Sequence, residues 1–208
     1  MPRLTPEQLG ALTARTLADY DDNAESFRAG TWDHDVSQNR AALLGAIEAA
    51  PPFRLLDFGC GPGRDLVYFR SLGHDAVGLE GSARLAAMAR ASGAPVWQQD
   101  FLALALPERH FHGIFANASL FHVPSQELPR VLGELGASLV PRGVLFCSNP
   151  RGNDDEGFAH ERYGAFHSYQ SWRAYVTAAG FVELDHFYRP PGKPRAQQPW
   201  LATVWRKP

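Results

Sequence analysis

Arg54-Leu55-Leu56-Asp57-Phe58-Gly59-Cys60-Gly61-Pro62-Gly63-Arg64-Asp65 breaks an apolar run into three alternating glycines and then a helix-like segment. Residues 53–58 read as a fully buried strand, and Gly59, Gly61 and Gly63 let the backbone turn sharply and approach a ligand closely. The next segment, Asp65-Leu66-Val67-Tyr68-Phe69-Arg70, offers free N–H groups and a positive dipole end at its first turn. A strand, a glycine loop and a helix in this order commonly hold a nucleotide-like ligand. Spacing separates the named versions of such a loop. A dinucleotide fingerprint G-x-G-x-x-G beginning at Gly59 needs glycine where Arg64 stands, and one beginning at Gly61 needs it where Leu66 stands. A phosphate loop needs Lys-Ser or Lys-Thr after its glycines, and neither follows. D-x-G-x-G-x-G remains, with Asp57 at the strand end.

Outward from that loop, 208 residues with 45% hydrophobic content fit one α/β domain with a real core. A formal charge of -2 gives no general attraction to polyphosphate, so nucleic acid is disfavoured as a partner. Residues 1–10 contain no apolar signal core, and no run of about 18 apolar residues occurs, so the expected location is cytoplasmic, with no membrane association. Cys60 and Cys147 lie in or beside expected strands without C-x-x-C spacing and read as two buried thiols.

The run Leu55 to Gly63 resembles the first motif of the class I S-adenosylmethionine-dependent methyltransferases. That resemblance implies a Rossmann-like, seven-stranded, mostly parallel sheet with helices on both faces and a C-terminal antiparallel hairpin. It implies S-adenosylmethionine as cofactor, with Asp57, Gly59, Gly61 and Gly63 at the glycine loop. Asp75–Glu80 reads as the second strand, and its terminal Glu80 comes about 20 residues after the loop, the interval that brings a neighbouring strand tip beside it. A carboxylate there accepts hydrogen bonds from both ribose hydroxyls. Gly81 and Ser82 follow as cofactor contacts, and Ser82 also caps the next helix. Residues 94–101 read as a short third strand. In the family an acid at its end accepts from the adenine amino group and the next backbone N–H meets a ring nitrogen, roles that fall on Asp100 and Phe101.

Before the core, Thr5-Pro6-Glu7-Gln8 is a helix start, with a helix to about residue 20. Residues 20–27 read as a connection leading through Gly30-Thr31-Trp32 into a second helix that carries Val36, Leu43, Leu44 and Ile47. By likeness to the family such helices lie over the cofactor with an aromatic near its methionine end, which makes Tyr20 either that residue or a core tyrosine. Residues 111–119 read as the fourth strand, from which Asn117 is expected to point towards the reacting centre as a further cofactor contact, and His122 then orients a loop or faces substrate. Ser125 is the expected start of a helix closed by Pro141-Arg142-Gly143, and residues 144–149 the fifth strand. Residues 150–167 are polar with interleaved aromatics and read as a solvated substrate loop or lid without metal-ligand spacing, so no metal is expected. A helix capped by Ser168 and strands at 181–188 and 200–205 complete the sheet.

The expected organisation is therefore one domain over 1–208, with N-terminal helices in 1–50, a cofactor-binding core in 51–149, and substrate loop, last helix and terminal hairpin in 150–208. The expected reaction is methyl transfer from S-adenosylmethionine to a small-molecule acceptor. The acceptor is sought by Tyr20 to Trp32 together with the 150–167 loop, where aromatics mix with Asn, His and Arg rather than forming a basic stripe. A sulfonium is already an activated leaving group, so no base is required; His122, His160, Tyr163 and Asn117 are the substrate-side candidates. The alternatives are a non-catalytic module that holds the cofactor or its demethylated product, and a nicotinamide-dependent oxidoreductase, which the glycine spacing disfavours.

Overall fold

Thr5 starts the chain's first helix in the expected way: its hydroxyl accepts from the Gln8 N–H at 3.3 Å while the Gln8 side chain takes the Thr5 N–H at 2.8 Å. In this computed structural model, which describes residues 3–208, that helix is α1 (Pro6–Asp22). Met1 and Pro2, the first two residues of the expected 1–50 segment, lie outside the described residues. The stretch expected to be a connection is instead a second helix, α2 (Ala24–Thr31), followed by α3 (Ser37–Ala46). Asn23 makes the break. Its backbone N–H turns back to the Asp19 and Asp21 carbonyls, and Ala24 is then wholly buried as the next helix begins.

The remaining elements are β1 (Arg54–Phe58), α4 (Arg64–Ser71), β2 (Asp75–Glu80), α5 (Ala83–Arg90), β3 (Val96–Gln98), β4 (Phe111–Asn117), α6 (Leu128–Ser138), β5 (Leu139–Pro150), β6 (Asp155–Ala159), β7 (Arg162–Phe166), α7 (Tyr169–Ala178), β8 (Val182–Arg189) and β9 (Trp200–Arg206). A single 3-10 turn, Leu120–His122, follows β4. The main sheet has the order β3-β2-β1-β4-β5-β9-β8, and only β9 runs antiparallel to its neighbours. The seven-stranded, mostly parallel sheet and its antiparallel C-terminal pair are as expected. Because the strand order reverses between β1 and β4, the connections leave in opposite directions there and open a crevice at the carboxyl ends of the strands.

Strand parity divides the apolar residues between two cores. Leu56, Phe58, Ile114, Ala116, Leu145 and Cys147 meet α6 and α7 on one face, while Leu55, Phe115, Val144 and Phe146 meet Leu43, Leu66, Phe69 and Ala89 on the other. Full burial of each large side chain contributes about 1.5–3 kcal/mol, so both faces anchor the strand ends that carry the site. Cys60 and Cys147 are both buried and free.

Three boundaries differ from expectation. α6 begins at Leu128 rather than Ser125, because Ser125 is engaged by the Glu156 carboxylate through its N–H and hydroxyl. Residues 139–143 join β5 instead of closing a helix, since Leu139 pairs with Phe111 across an irregularity in the ladder. The 150–167 segment is not a solvated loop: β6 and β7 form a hairpin of their own, with register Asp155↔Phe166 to Ala159↔Arg162 and His160 at φ 57° in the turn.

Candidate functional site

Gly59 leaves β1 at φ 75°, and a Cβ placed on it would lie 2.4 Å from Ser119 Cβ, so the loop after β1 and the loop after β4 touch only because that atom is missing. Gly63, at φ 92°, precedes α4, and a Cβ there would meet the Ala89 backbone of α5 at 3.0 Å. Between them, Gly61 donates its N–H to Glu80 Oε2 at 2.8 Å, and Ser82 donates its N–H to Glu80 Oε1 at 2.8 Å. The Glu80 carboxylate thus joins two loops. Burial raises its pKa, while backbone amides of Ser82, Gly61 and Gly81 oppose that rise, and each oxygen keeps a further lone pair for the cleft it lines.

Asp57 lies beneath the loop rather than in the cleft. It is buried, its Oδ2 has no hydrogen-bond partner among the described residues, and its pKa is raised by burial and by the nearby Asp65. Asp65 is paired with Arg40 of α3 at 2.6 Å and Arg64 at 2.7 Å.

The cleft, with its open mouth, takes in about 670 Å³. Tyr20, Gly59, Gly61, Glu80, Gly81, Asp100, Phe101 and His122 line it. Asp100 accepts the Leu102 N–H at 2.8 Å, and the Phe101 ring stacks on Phe58 at 4.3 Å, which fixes both after β3. Gly63 and Ser82 are supports and do not line the cleft; the Ser82 hydroxyl donates to Asp21 at 2.5 Å and ties α1 to the start of α5.

Asn117 corrects the sequence reading. It shares the parity of Phe115, so it faces α3, where its Oδ1 accepts from Asn39 Nδ2 at 2.8 Å, and it does not line the cleft. His160 sits exposed at the hairpin turn, and the buried Tyr163 ring packs edge-on against Phe158, so neither reaches the cleft. Among the described residues no cluster of three His, Cys, Asp or Glu side chains has the geometry for a metal.

The roof is α1, and the β6–β7 hairpin braces that helix without lining the cleft. Thr13, Thr16, Leu17 and Tyr20 recur at helical spacing and present one face of α1 to the cleft. The hairpin is fixed to that helix by the Tyr163 N–H on Thr16 Oγ1 at 3.0 Å, by Arg162 on Asp19 at 2.5 Å and by Arg15 on Glu161 at 2.7 Å. His122 joins both parts: Nδ1 is 2.6 Å from the Tyr163 carbonyl and Nε2 is 2.9 Å from the Tyr20 hydroxyl. A carbonyl only accepts, so Nδ1 carries the hydrogen, and the free Nε2 lone pair takes the Tyr20 proton. Burial, aided by the Arg162 charge and opposed by the Tyr163 carbonyl, pushes His122 down to about 4. Burial also drives the Tyr20 hydroxyl up to about 12, so both are neutral at ordinary pH.

Sequence reading missed Thr13, Thr16, Leu17, Phe27, Ala118 and Ser119 in the lining. The spacing of the first three was a usable signal; the others depend on how the loops meet. Ser119 matters most, because its hydroxyl oxygen is buried without a partner among the described residues, whereas Thr16, Tyr20, Glu80 and Asp100 are already engaged.

A family described as methyltransferase domain matches residues 11–189. No curated protein matches the sequence. Among solved structures, the Burkholderia thailandensis 1,6-didemethyltoxoflavin-N1-methyltransferase, with 1,6-didemethyltoxoflavin and S-adenosylhomocysteine bound, is similar over 100% of this chain and 92% of its own at 22% identity and a TM-score of 0.79. A Leishmania major S-adenosylmethionine-dependent methyltransferase is similar over 97% and 85% of the two chains at 15% identity and a TM-score of 0.77. A Mesorhizobium loti S-adenosylmethionine-dependent methyltransferase is similar over 79% and 95% at 18% identity and a TM-score of 0.67.

Proposed function

The chain belongs to the methyltransferase-domain family, and from that membership we propose that it methylates a small-molecule acceptor in the cleft roofed by α1, the helix that the β6–β7 hairpin braces. It is an S-adenosylmethionine-dependent enzyme of the class I fold. The observation that carries the site assignment is the Glu80 carboxylate held by amides of two loops at the switch point, beside Gly59, whose missing Cβ lets the loops after β1 and β4 meet.

The residues present fit the cofactor. Asp100 and Phe101 are assigned to the adenine end, Glu80 with Gly81 to the ribose hydroxyls, and the Gly59–Gly63 loop with the unpartnered Ser119 hydroxyl to the methionine end. Gly63 and Ser82 act from beneath, by holding the loops that make those contacts, and Asp57 lies buried under the glycine loop. Tyr20 and His122 stand where acceptor and methyl donor meet. The cofactor supplies a methyl group on a positively charged sulfur, already activated for in-line displacement. The chain's part is to hold the acceptor on that line and to limit water, and α1, braced by the hairpin, is the element placed to cover the cleft.

A cytoplasmic setting and a single working domain over 1–208 belong to the same proposal, supported by the two unpaired thiols and by the extent of the family match. Among the described residues no helix is long and apolar enough to cross a membrane. The small-molecule reading is supported by the net charge of -2 and by a cleft without a basic stripe. The test is to incubate the protein with S-adenosylmethionine and a panel of small hydroxyl, amine and thiol compounds, with RNA and DNA alongside, and to measure S-adenosylhomocysteine. Turnover with a small compound is expected; turnover confined to RNA or DNA overturns the acceptor class.

A further inference from the structure

We propose that His122 is a positioning residue that turns the Tyr20 hydroxyl so that its oxygen lone pair, not its hydrogen, faces the methyl-donor end of the cleft, making the site prefer the charged sulfonium cofactor to its neutral demethylated product. This rests on the site assignment above and goes beyond it.

The direction of the Tyr20 hydrogen follows from a chain of two contacts. The Tyr163 carbonyl, 2.6 Å from Nδ1, can only accept, which places the imidazole hydrogen on Nδ1. Nε2 is then an acceptor, and the Tyr20 O–H, 2.9 Å away, can meet it only by donating. A phenol oxygen that donates in one direction presents a lone pair in the other, and the Tyr20 side chain lines the cleft. Tyr20 has no freedom to reverse. Its ring is held edge-on by Phe27 at 5.2 Å and by His122 at 5.5 Å, and the Arg162 guanidinium covers its face at 3.9 Å.

That guanidinium is paired with Asp19, which offsets part of its charge beside the phenol. The polarised methyl group of a sulfonium is attracted to an oxygen lone pair, and a neutral thioether offers no such group. The Tyr163 carbonyl belongs to the hairpin, so the orientation exists only when the hairpin is seated on α1. Product release is thereby favoured over release of unreacted cofactor, because loss of the methyl group removes the contact.

The test uses calorimetry with S-adenosylmethionine and S-adenosylhomocysteine on the full chain, comparing wild type, Tyr20→Phe, His122→Phe and His122→Gln. Tyr20→Phe and His122→Phe should each lower the preference for the sulfonium over the thioether on the order of threefold to tenfold, the weight of one net hydrogen bond, with thioether affinity nearly unchanged. His122→Gln, whose amide can donate to the carbonyl and accept from the phenol, should recover much of the preference. Equal loss of both ligands, or an unchanged ratio, overturns the proposal. If His122→Phe does not fold, Tyr20→Phe decides alone, since it removes one oxygen. A nitrogen-15 spectrum of the thioether complex gives the tautomer separately, and an Nε2–H imidazole at position 122 also overturns it. Wild type that binds neither ligand refutes the site assignment itself, a result distinct from an unchanged ratio.

Discussion

Replacing His122 by Phe should remove a specific part of the protein's acid sensitivity. His122 titrates near 6.5 when the chain is unfolded and is pushed down to about 4 in the fold. Between these values the unfolded chain holds the extra proton, so stability falls as pH falls; the contribution is complete above about pH 6.5 and is lost as pH drops through about 4. At 1.36 kcal/mol per pKa unit this gives at most about 3 kcal/mol between pH 7 and pH 4, and less in practice because one side of the ring lines a cleft that water enters. Urea unfolding followed by tryptophan fluorescence at pH 7, 5.5 and 4, on wild type and His122→Phe, measures it. Carboxylates that titrate in the same range occur in both proteins and cancel in the difference. Phe leaves the Tyr163 carbonyl unpaired at a pH-independent cost of about 1–3 kcal/mol, so it should be less stable than wild type at pH 7, with a shallower pH slope that brings the two together towards pH 4. Parallel slopes, or a wild type that gains stability on acidification relative to the variant, would refute a buried, neutral His122.

Glu80→Ala should weaken S-adenosylhomocysteine binding by about 1.5–3 kcal/mol by calorimetry, the range for hydrogen bonds to a charged group, and equal affinity would remove Glu80 from the site. Ser119→Ala should cost about 1 kcal/mol of the same affinity with no loss of thermal stability, since its hydroxyl has no partner inside the protein to lose; a fall in stability with unchanged binding contradicts that. Replacing residues 153–162 by a short Gly/Ser linker should leave cofactor affinity within a few-fold while abolishing methyl transfer to the acceptor found by the screen. Transfer that persists unchanged would show that the hairpin is no part of the acceptor site.

The glycine loop and Glu80 were legible because both depend on spacing along one strand–loop–helix unit, which local sequence determines. Tyr20 and His122 could be marked one by one, but not the bond between them, because positions 20 and 122 meet only after the sheet has brought α1 over the end of β4. Asn117 was misread although the signal was present: it follows Phe115 by two, so it had to share that side chain's face of the sheet. The hairpin was hidden by Asp154-Asp155-Glu156-Gly157, which looks like a solvated loop, whereas its pairing is stabilised by contacts to Thr16, Asp19 and Ser125 distant in sequence. Helix α2 was obscured in the same way, since its eight residues include Gly30 and gain order from packing.

The most direct test of the central claim is titration calorimetry of the wild-type chain against S-adenosylmethionine, S-adenosylhomocysteine and NAD. The account predicts saturable one-site binding of the first two, abolished or strongly weakened by Glu80→Ala, and no comparable binding of NAD; tight NAD binding with none of the sulfonium or its product would contradict it.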